Sequence, residues 1–290
     1  DSSANAWDSY GDVLFAMGEL EKASMAKKRG LKLDPRLDYL YESLAYINVQ
    51  QGMIRQALRN IDIYKGLQKE PNIISRGLAD KAFIYFVKEE YKRSLDTCLK
   101  AKQMYDSKDL LTRNHILHWI LSKLYIKLND PVALNSELKE MEEIKTKNKI
   151  DGYNNYNMIL KFYYDIKIHM LFEQKKIDEA RGFIDKFDTE INDKVKDWSY
   201  PFDLAFFNSE FGKLYLETDS LELAKERFEK ALKYNPKYIL AHMGLAVYYN
   251  RMKDSIDFNL HYNQFYSTLI KADLDLLSLF KKEYDGLILR

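Results

Sequence analysis

Two histidines near the middle of the chain are close enough in sequence to act together on a metal ion. His115 and His118 are three residues apart, so both rings would project from the same side of a helix. A protein zinc site normally needs a third His, Cys or carboxylate ligand, and no further His or Cys lies nearby at ligand spacing. We therefore predict that the pair forms no metal site and consists of polar residues near the start of a helix.

The single cysteine is the other residue with intrinsic reactivity. Cys98 lies one helical turn after Ser94 and three residues before Ala101, which is a packing position. We interpret it as a small buried hydrophobe and not as a nucleophile. One cysteine excludes an internal disulfide, and it leaves the cellular compartment open.

No short catalytic motif occurs in the chain. The sequence lacks a glycine-rich phosphate loop, a G-x-S-x-G elbow and an H-E-x-x-H motif. The acidic pairs Glu89 with Glu90 and Glu142 with Glu143 are typical of solvated helix faces. We predict a protein that is not an enzyme and carries no cofactor, because catalysis would require residues gathered from distant parts of the chain.

Charge and composition narrow the classes of partner. The 45 basic residues balance 44 acidic ones, and the lysine-rich stretch from Lys145 to Lys149 is short and soon followed by Asp151, so we predict no binding of nucleic acid. No apolar stretch is long enough to cross a bilayer, so we predict no membrane insertion. The chain begins at Asp1 without a signal-peptide pattern, and its localisation stays unknown. The 5 prolines and 11 glycines are too few for a many-stranded β-sandwich, which favours long helices.

Two stretches of the chain share one spacing of large, small and helix-ending residues. The first stretch is Trp7, Tyr10, Gly11, Leu14, Ala23 and Pro35, and the second is Gly212, Tyr215, Ala224, Phe228, Ala231 and Pro236. In both stretches, Ala lies twelve positions after Gly, and Pro lies twelve positions after Ala. This pattern resembles the tetratricopeptide repeat (TPR) family, in which each repeat is a hairpin of helix A and helix B. A small residue on helix A permits the close crossing of helix B, and proline ends helix B.

The register extends this pattern to seven repeats. The matching helix B positions are Ala23, Ala57, Ser94, Leu134, Ala180, Ala224 and Phe258, and the helix A positions are Gly11, Ala45, Ala82, Ser122, Ile168, Gly212 and Ala246. Ile168 and Phe258 depart from the small-residue pattern. The resemblance implies an all-α superhelix, a single TPR solenoid over residues 1–290 with about fourteen repeat helices. Regular repeats are expected over about 4–70 and 205–270, and longer degenerate repeats over about 75–200.

Two kinds of segment fall outside the regular repeats. The polar stretches from Lys145 to Asn157 and from Ile191 to Pro201 are expected to be longer helices plus longer loops, because their composition favours turns and solvated backbone. After the seventh repeat, Asp273 is expected to begin a capping helix over about 273–285 that buries Leu274, Leu277 and Phe280.

In the TPR family, helix A lines the concave wall where a peptide binds. Carrying those positions over by register predicts a mixed aromatic and charged binding face, whose expected residues are Tyr46, Phe83, Phe86, Trp119, Lys123, Lys127, His169 and Lys213. An alternative for Phe83 and Phe86 is that they fill the space left by the longer repeats.

The resemblance implies a scaffold or adaptor module that binds a protein or a peptide. The alternative is a peptide-sensing regulatory domain whose effector domain lies outside this chain. Chaperone-binding family members hold a C-terminal carboxylate with Lys and Asn in the first repeat, where this chain has Asp8 and Asp12. Those carboxylates argue against that ligand. The sequence names neither the partner nor the oligomeric state.

Overall fold

The computed structural model describes residues 3–104, 115–151, 156–191, 203–269 and 272–273. In these ranges all regular secondary structure is helical, and consecutive helices pair into seven hairpins. The prediction of an all-α chain with about fourteen repeat helices is confirmed. The helices are Ala4–Ala16 (α1), Leu20–Leu33 (α2), Tyr39–Gln50 (α3), Ile54–Leu67 (α4), Pro71–Val87 (α5), Tyr91–Met104 (α6), His115–Lys127 (α7), Pro131–Asp151 (α8), Tyr156–Glu173 (α9), Ile177–Glu190 (α10), Leu204–Glu217 (α11), Leu221–Tyr234 (α12), Ile239–Arg251 (α13) and Ser255–Thr268 (α14).

The chain divides into two compact units. Unit 1 combines Asp1–Tyr64 with Tyr200–Arg290, and it holds α1 to α3, most of α4, and α11 to α14. Unit 2 is Lys65–Ser199 and holds α5 to α10. None of the helices in the described ranges is long and apolar enough to cross a membrane.

The small residues of the register lie where the two helices of each hairpin cross. The helix A positions and six of the seven helix B positions are buried, and Phe258 is half-buried. Ile168 is fully buried although it is large. The sequence spacing therefore identified the core of each hairpin correctly.

Phe228 shows why the sixth and seventh hairpins need glycine. Its buried ring inserts between Gly212 on α11 and Gly244 on α13. A Cβ atom added at Gly212 would lie 2.7 Å from the ring, and one at Gly244 would lie 2.1 Å from it. In the first hairpin, Gly11 meets the aliphatic stem of Lys27 in the same way, with a Cβ atom placed 2.9 Å from Lys27 Cε. Glycine is required at these crossings because a large side chain fills the space.

The turns between helix A and helix B share a left-handed residue. This position has φ between 53° and 72° in all seven hairpins. It is occupied by Gly18, Gly52, Glu89, Asn129, Lys175, Asp219 and Lys253. Such a residue ends a helix by letting the chain reverse while its last carbonyls stay hydrogen-bonded. Five of these turns tolerate a side chain, so the left-handed conformation alone does not demand glycine.

The first polar stretch contains the longer helix that was expected. The stretch from Lys145 to Asp151 continues helix α8, which reaches 21 residues, and α9 has already begun by Tyr156. The helix persists because Leu138, Met141 and Ile144 bury one of its faces, and because lysine is a good helix former at the exposed positions that follow. Most of the predicted loop from Ile191 to Pro201 and the capping helix after Asp273 lie outside the described residues.

Candidate functional site

Helices α7 and α9 of unit 2 present a row of paired polar side chains, which we call the α7–α9 ladder. Its residues are Trp119, Lys123 and Lys127 on α7 and Asp165, His169 and Glu173 on α9. Trp119 Nε1 donates to Asp165 Oδ2 at 2.7 Å, Lys123 Nζ lies 2.5 Å from His169 Nε2, and Lys127 Nζ lies 3.6 Å from Glu173 Oε1. Each pair occupies the same register position on the two neighbouring helices, so the ladder follows directly from the repeat.

The ladder passes from the core to solvent along its length. Trp119 and Asp165 are buried, Lys123 is buried beside the half-buried His169, and the last pair is open. The exposed fractions of the Lys127 and Glu173 side chains are 44% and 54%. The buried end fixes the geometry of the two helices, and the open end is accessible to another molecule.

Asp165 carries the charge at the buried end. Burial alone would raise the pKa of its carboxyl, but the positive charge of Lys123 and the interactions with His169 and Trp119 hold that pKa well below its ordinary value. Its Oδ1 atom accepts no hydrogen bond and lies 3.3 Å from His169 Nε2. The carboxylate is therefore ionised at neutral pH, and it balances a buried lysine.

His169 sits between a cation and an anion. Its Nε2 atom is closer to Lys123 Nζ than to Asp165 Oδ1. The ring therefore contacts both charged groups of the buried end.

Two aromatic rings pack around Trp119 of the α7–α9 ladder. The ring centroids of Phe83 on α5 and Phe162 on α9 lie 6.0 Å and 5.2 Å from that of Trp119. Lys123 Nζ also lies 5.7 Å from the Trp119 ring, within cation–π range. These contacts join the A helices α5, α7 and α9 into one wall.

The structure separates the predicted binding residues by exposure. Tyr46, Phe83, Trp119 and Lys123 are buried between helices and offer no open contact surface. The remaining predicted residues reach solvent, with Phe86, His169 and Lys213 half-buried and Lys127 exposed.

The structure also separates the predicted residues by place. Phe83, Trp119, Lys123, Lys127 and His169 gather around the ladder in unit 2. Phe86 instead packs against Tyr91 of α6, at 5.6 Å between ring centroids. Tyr46 and Lys213 belong to unit 1.

Three hairpins contain a buried or half-buried polar pair that was not predicted. The pairs are His118 with Glu137, Asn208 with Arg227, and His242 with His261. Each joins the residue four before the helix A mark to the residue three after the helix B mark, a separation of 19 residues. Repeated polar residues at these two offsets were the available signal.

His118 lies in the first turn of α7, near the start of the helix, but its side chain is buried, which was not predicted. Its Nδ1 atom lies 2.7 Å from Glu137 Oε2. Burial raises the pKa of the Glu137 carboxyl, but hydrogen bonds and charge from His118 and Lys102 lower it overall. His115 packs its ring on Phe162, at 5.7 Å between centroids.

The acidic pair of the first hairpin is held by an internal lysine. Lys27 Nζ bonds Asp8 at 2.5 Å and also bonds Asp12. Burial raises the pKa of Asp12 despite this lysine. Tyr39 donates to Asp8 at 3.2 Å, and burial together with this carboxylate raises the tyrosine pKa to about 12. Lys27 is a single cation beside the two carboxyl groups of Asp8 and Asp12, so this site disfavours an anionic ligand.

Cys98 and the possible metal ligands are the reactive groups that the sequence singled out. Cys98 is buried, and burial together with the nearby Glu137 raises the pKa of its thiol, which opposes thiolate chemistry. In the described part of the chain, no three His, Cys, Asp or Glu side chains are grouped so as to hold a metal ion.

Comparisons with known proteins bear on the fold. No protein-family model and no curated protein matches the chain. A tetratricopeptide repeat protein from Parabacteroides merdae ATCC 43184 superposes with a TM-score of 0.53, at 13% identity over 100% of both chains. Pseudomonas aeruginosa pilF gives 0.44 at 14% identity, over 90% of this chain and 97% of that chain. The TPR2AB domain of yeast Sti1, solved in complex with pHSP90, gives 0.34 at 13% identity, over 99% and 97%.

The fold assignment rests on the first of these superpositions together with the repeat register. The hairpins have a TPR-like fold, as the residue pattern predicted.

Proposed function

We propose that this chain, with its TPR-like hairpins, is a scaffold or adaptor that binds a protein or peptide segment along the A-helix wall of unit 2. The observation that carries the proposal is the open end of the α7–α9 ladder. There Lys127 and Glu173 stand in solvent on a wall whose buried end is fixed by hydrogen bonds. A rigid wall costs little ordering entropy when it receives a ligand.

The pairing of Lys127 with Glu173 is weak enough to be exchanged. An exposed ion pair contributes about 0–1 kcal/mol to stability, so little is lost when each group takes a new partner. Lys123 differs, because it is buried against Asp165 and His169. We therefore assign the contact with an acidic side chain of the ligand to Lys127, and the contact with a basic one to Glu173.

Apolar side chains beside the open end supply contact area. Leu128 is exposed immediately after α7, and Met170 is half-buried on α9 next to His169. Apolar groups surrounded by charges are a usual composition for a protein-binding surface. The ligand class that fits is an extended or helical segment with an apolar residue between charged ones.

Affinity purification from the source cell tests this function. Wild-type protein and the Lys127→Glu variant are compared with Lys139→Glu, which reverses an exposed lysine on α8 away from the ladder. The partner recovered by the wild type is then titrated against all three proteins. We expect Lys127→Glu to weaken binding at least about fivefold, which corresponds to about 1 kcal/mol, and Lys139→Glu to leave it unchanged.

The buried residues are unsuitable for this test. Trp119→Ala would remove a buried ring and Lys123→Glu would place two carboxylates side by side, so both would disturb the fold. Equal affinity of the wild type and Lys127→Glu for every recovered partner would refute the assignment of the binding wall.

A further inference from the structure

Unit 1 contains two contacts between its first and last hairpins. In the first, Lys237 Nζ bonds Glu19 Oε1 at 2.5 Å. In the second, Asp273 accepts from the backbone N–H of Arg55 at 2.8 Å and from its Nε at 3.0 Å. The backbone N–H of Asp273 also donates to the carbonyl of Gly52 at 2.9 Å. Each contact joins a turn between helices A and B to the loop that follows a later helix B.

The two contacts involve neighbouring hairpins at both ends of unit 1. Both join residues that are 218 positions apart in the sequence. The turn of the first hairpin meets the loop after the sixth, and the turn of the second hairpin meets the segment after the seventh. Two separate contacts therefore join the beginning and the end of unit 1, which makes a single accidental side-chain contact a poor explanation.

Glycine at the first two A–B turns allows the later loops to come close to the backbone. Of the seven left-handed turn positions, the first two hold glycine, Gly18 and Gly52, and these are the two turns that the later loops touch. A Cβ atom at Gly18 would lie 2.5 Å from Lys237 Cβ and 2.6 Å from Asn235 Oδ1. Side chains occupy the other five turns at similar φ, so close approach, and not φ, explains the glycine at Gly18.

The charges of the two contacts are opposite in sense. The first turn offers an acid, Glu19, to a basic loop, whereas the second offers a base, Arg55, to an acidic segment. Exchanging the partners would place Lys237 with Arg55, or Asp273 with Glu19. Either exchange replaces attraction by repulsion, so the charges favour the observed pairing.

The contacts are polar and solvent-accessible, and salt therefore weakens them. The exposed fractions of the Lys237 and Arg55 side chains are 51% and 82%. The Debye length shortens from about 10 Å at 0.1 M salt to about 3 Å at 1 M, which screens exposed charges. An exposed ion pair of this kind changes an equilibrium by up to about fivefold.

From these observations we propose that the two contacts form a reversible, charge-coded clasp that closes unit 1 between its first two and last two hairpins. The partner of each A–B turn is the chain's own later loop. Salt or a competing charged ligand opens the clasp without unfolding the hairpins.

Distance measurements between spin labels test the clasp. Labels are placed at Met25→Cys on α2 and Lys233→Cys on α12, both at exposed positions, while the buried Cys98 stays unlabelled. Labelled protein is diluted with unlabelled protein, so that the signal reports distances within one chain. We expect one short distance at low salt, and at 1 M salt a second, longer population whose share increases up to about fivefold.

Charge variants separate the clasp from general effects. Glu19→Lys should enlarge the long-distance population at low salt, and adding Lys237→Glu should restore the short distance. Glu229→Lys reverses an exposed residue of α12 outside the clasp and should change nothing. A short distance that persists in Glu19→Lys and in 1 M salt would overturn the proposal, as would a signal that disappears on dilution and so arises between chains.

The glycine argument has its own matched pair. Gly18→Asn introduces a residue that tolerates the left-handed conformation but adds a side chain against Lys237. Lys175→Asn places the same residue at the equivalent turn of the fifth hairpin, where a side chain is already present. Gly18→Asn should open the clasp, and Lys175→Asn should not. Circular dichroism at 222 nm, unchanged in all variants, shows that the hairpins remain folded. An undisturbed short distance in a folded Gly18→Asn protein would contradict the proposal.

Discussion

Replacing Gly212 by alanine tests the packing at the crossing of α11 and α12. The added Cβ atom would lie 2.7–2.8 Å from three atoms of the Phe228 ring. The ring is unable to retreat, because Gly244 of α13 closes against its other side. Overpacking of a dense core costs about 1–3 kcal/mol, and the two-sided confinement favours the upper part of that range. Alanine recovers about 1 kcal/mol of helix propensity.

The net expectation for Gly212→Ala is a loss of about 2 kcal/mol in the free energy of unfolding. Gly212→Leu should lose more, because its branched side chain has no space at all. Urea denaturation followed by circular dichroism measures the loss, and hydrogen exchange assigns it to α11 and α12. Gly182→Ala is the control, because no atom lies within 4 Å of its added Cβ on α10. That variant should gain about 0.5–1 kcal/mol.

The role of the ring can be isolated with a double variant. In a Phe228→Leu background, the additional loss caused by Gly212→Ala should shrink, because a smaller side chain leaves room for the methyl group. If Gly212→Ala gains as much stability as Gly182→Ala, then α11 and α12 do not cross at Gly212. That result would contradict the packing of Phe228 against this glycine.

Three further predictions concern charge, pH and reactivity. Asp165→Asn should cost about 3 kcal/mol of unfolding free energy in urea denaturation, because the buried Lys123 loses its carboxylate partner. Glu173→Gln changes an exposed residue and should cost less than about 0.5 kcal/mol. Equal losses in the two variants would contradict the difference in burial along the α7–α9 ladder. Burial lowers the pKa of both His242 and His261 in the folded protein. The neutral rings therefore contribute fully to the stability of the fold above the unfolded-state pKa of about 6.5, and this contribution is lost as the pH falls below that value. The urea midpoint should decline from pH 7.5 to 5.5, and a double change of these histidines to glutamine should flatten that decline. Cys98 should react with a thiol reagent only in urea, and rapid labelling of the folded protein would show that it is not buried.

The hairpins could be predicted because the spacing of small residues reports a local crossing. Gly11 and Ala23, twelve residues apart, meet within one hairpin, so no distant part of the chain is needed to place them. Lys123 and His169 occupy the same register position of consecutive A helices, and they are in contact in the structure. Residues at equal positions of consecutive A helices become neighbours when the hairpins stack.

Burial and long-range contacts could not be predicted in the same way. Trp119 and Phe83 occupy A-helix positions like Lys127, yet they are buried because neighbouring helices close over that end of the wall. The pairing of Glu19 with Lys237 depends on where the chain returns after many hairpins, which local spacing does not contain. The point at which the longer helix α8 ends could not be predicted, because a lysine-rich composition suits both a solvated helix and a loop.

Hydrogen exchange of the protein in complex with its recovered partner tests the binding wall most directly. The proposal predicts slower exchange in the last turns of α7 and α9, around Lys127 and Glu173, when the partner is bound. The B helices α6, α8 and α10 should exchange as in the free protein. Protection confined to those B helices, with no change at the ends of α7 and α9, would contradict the proposal that the A-helix wall of unit 2 binds the partner.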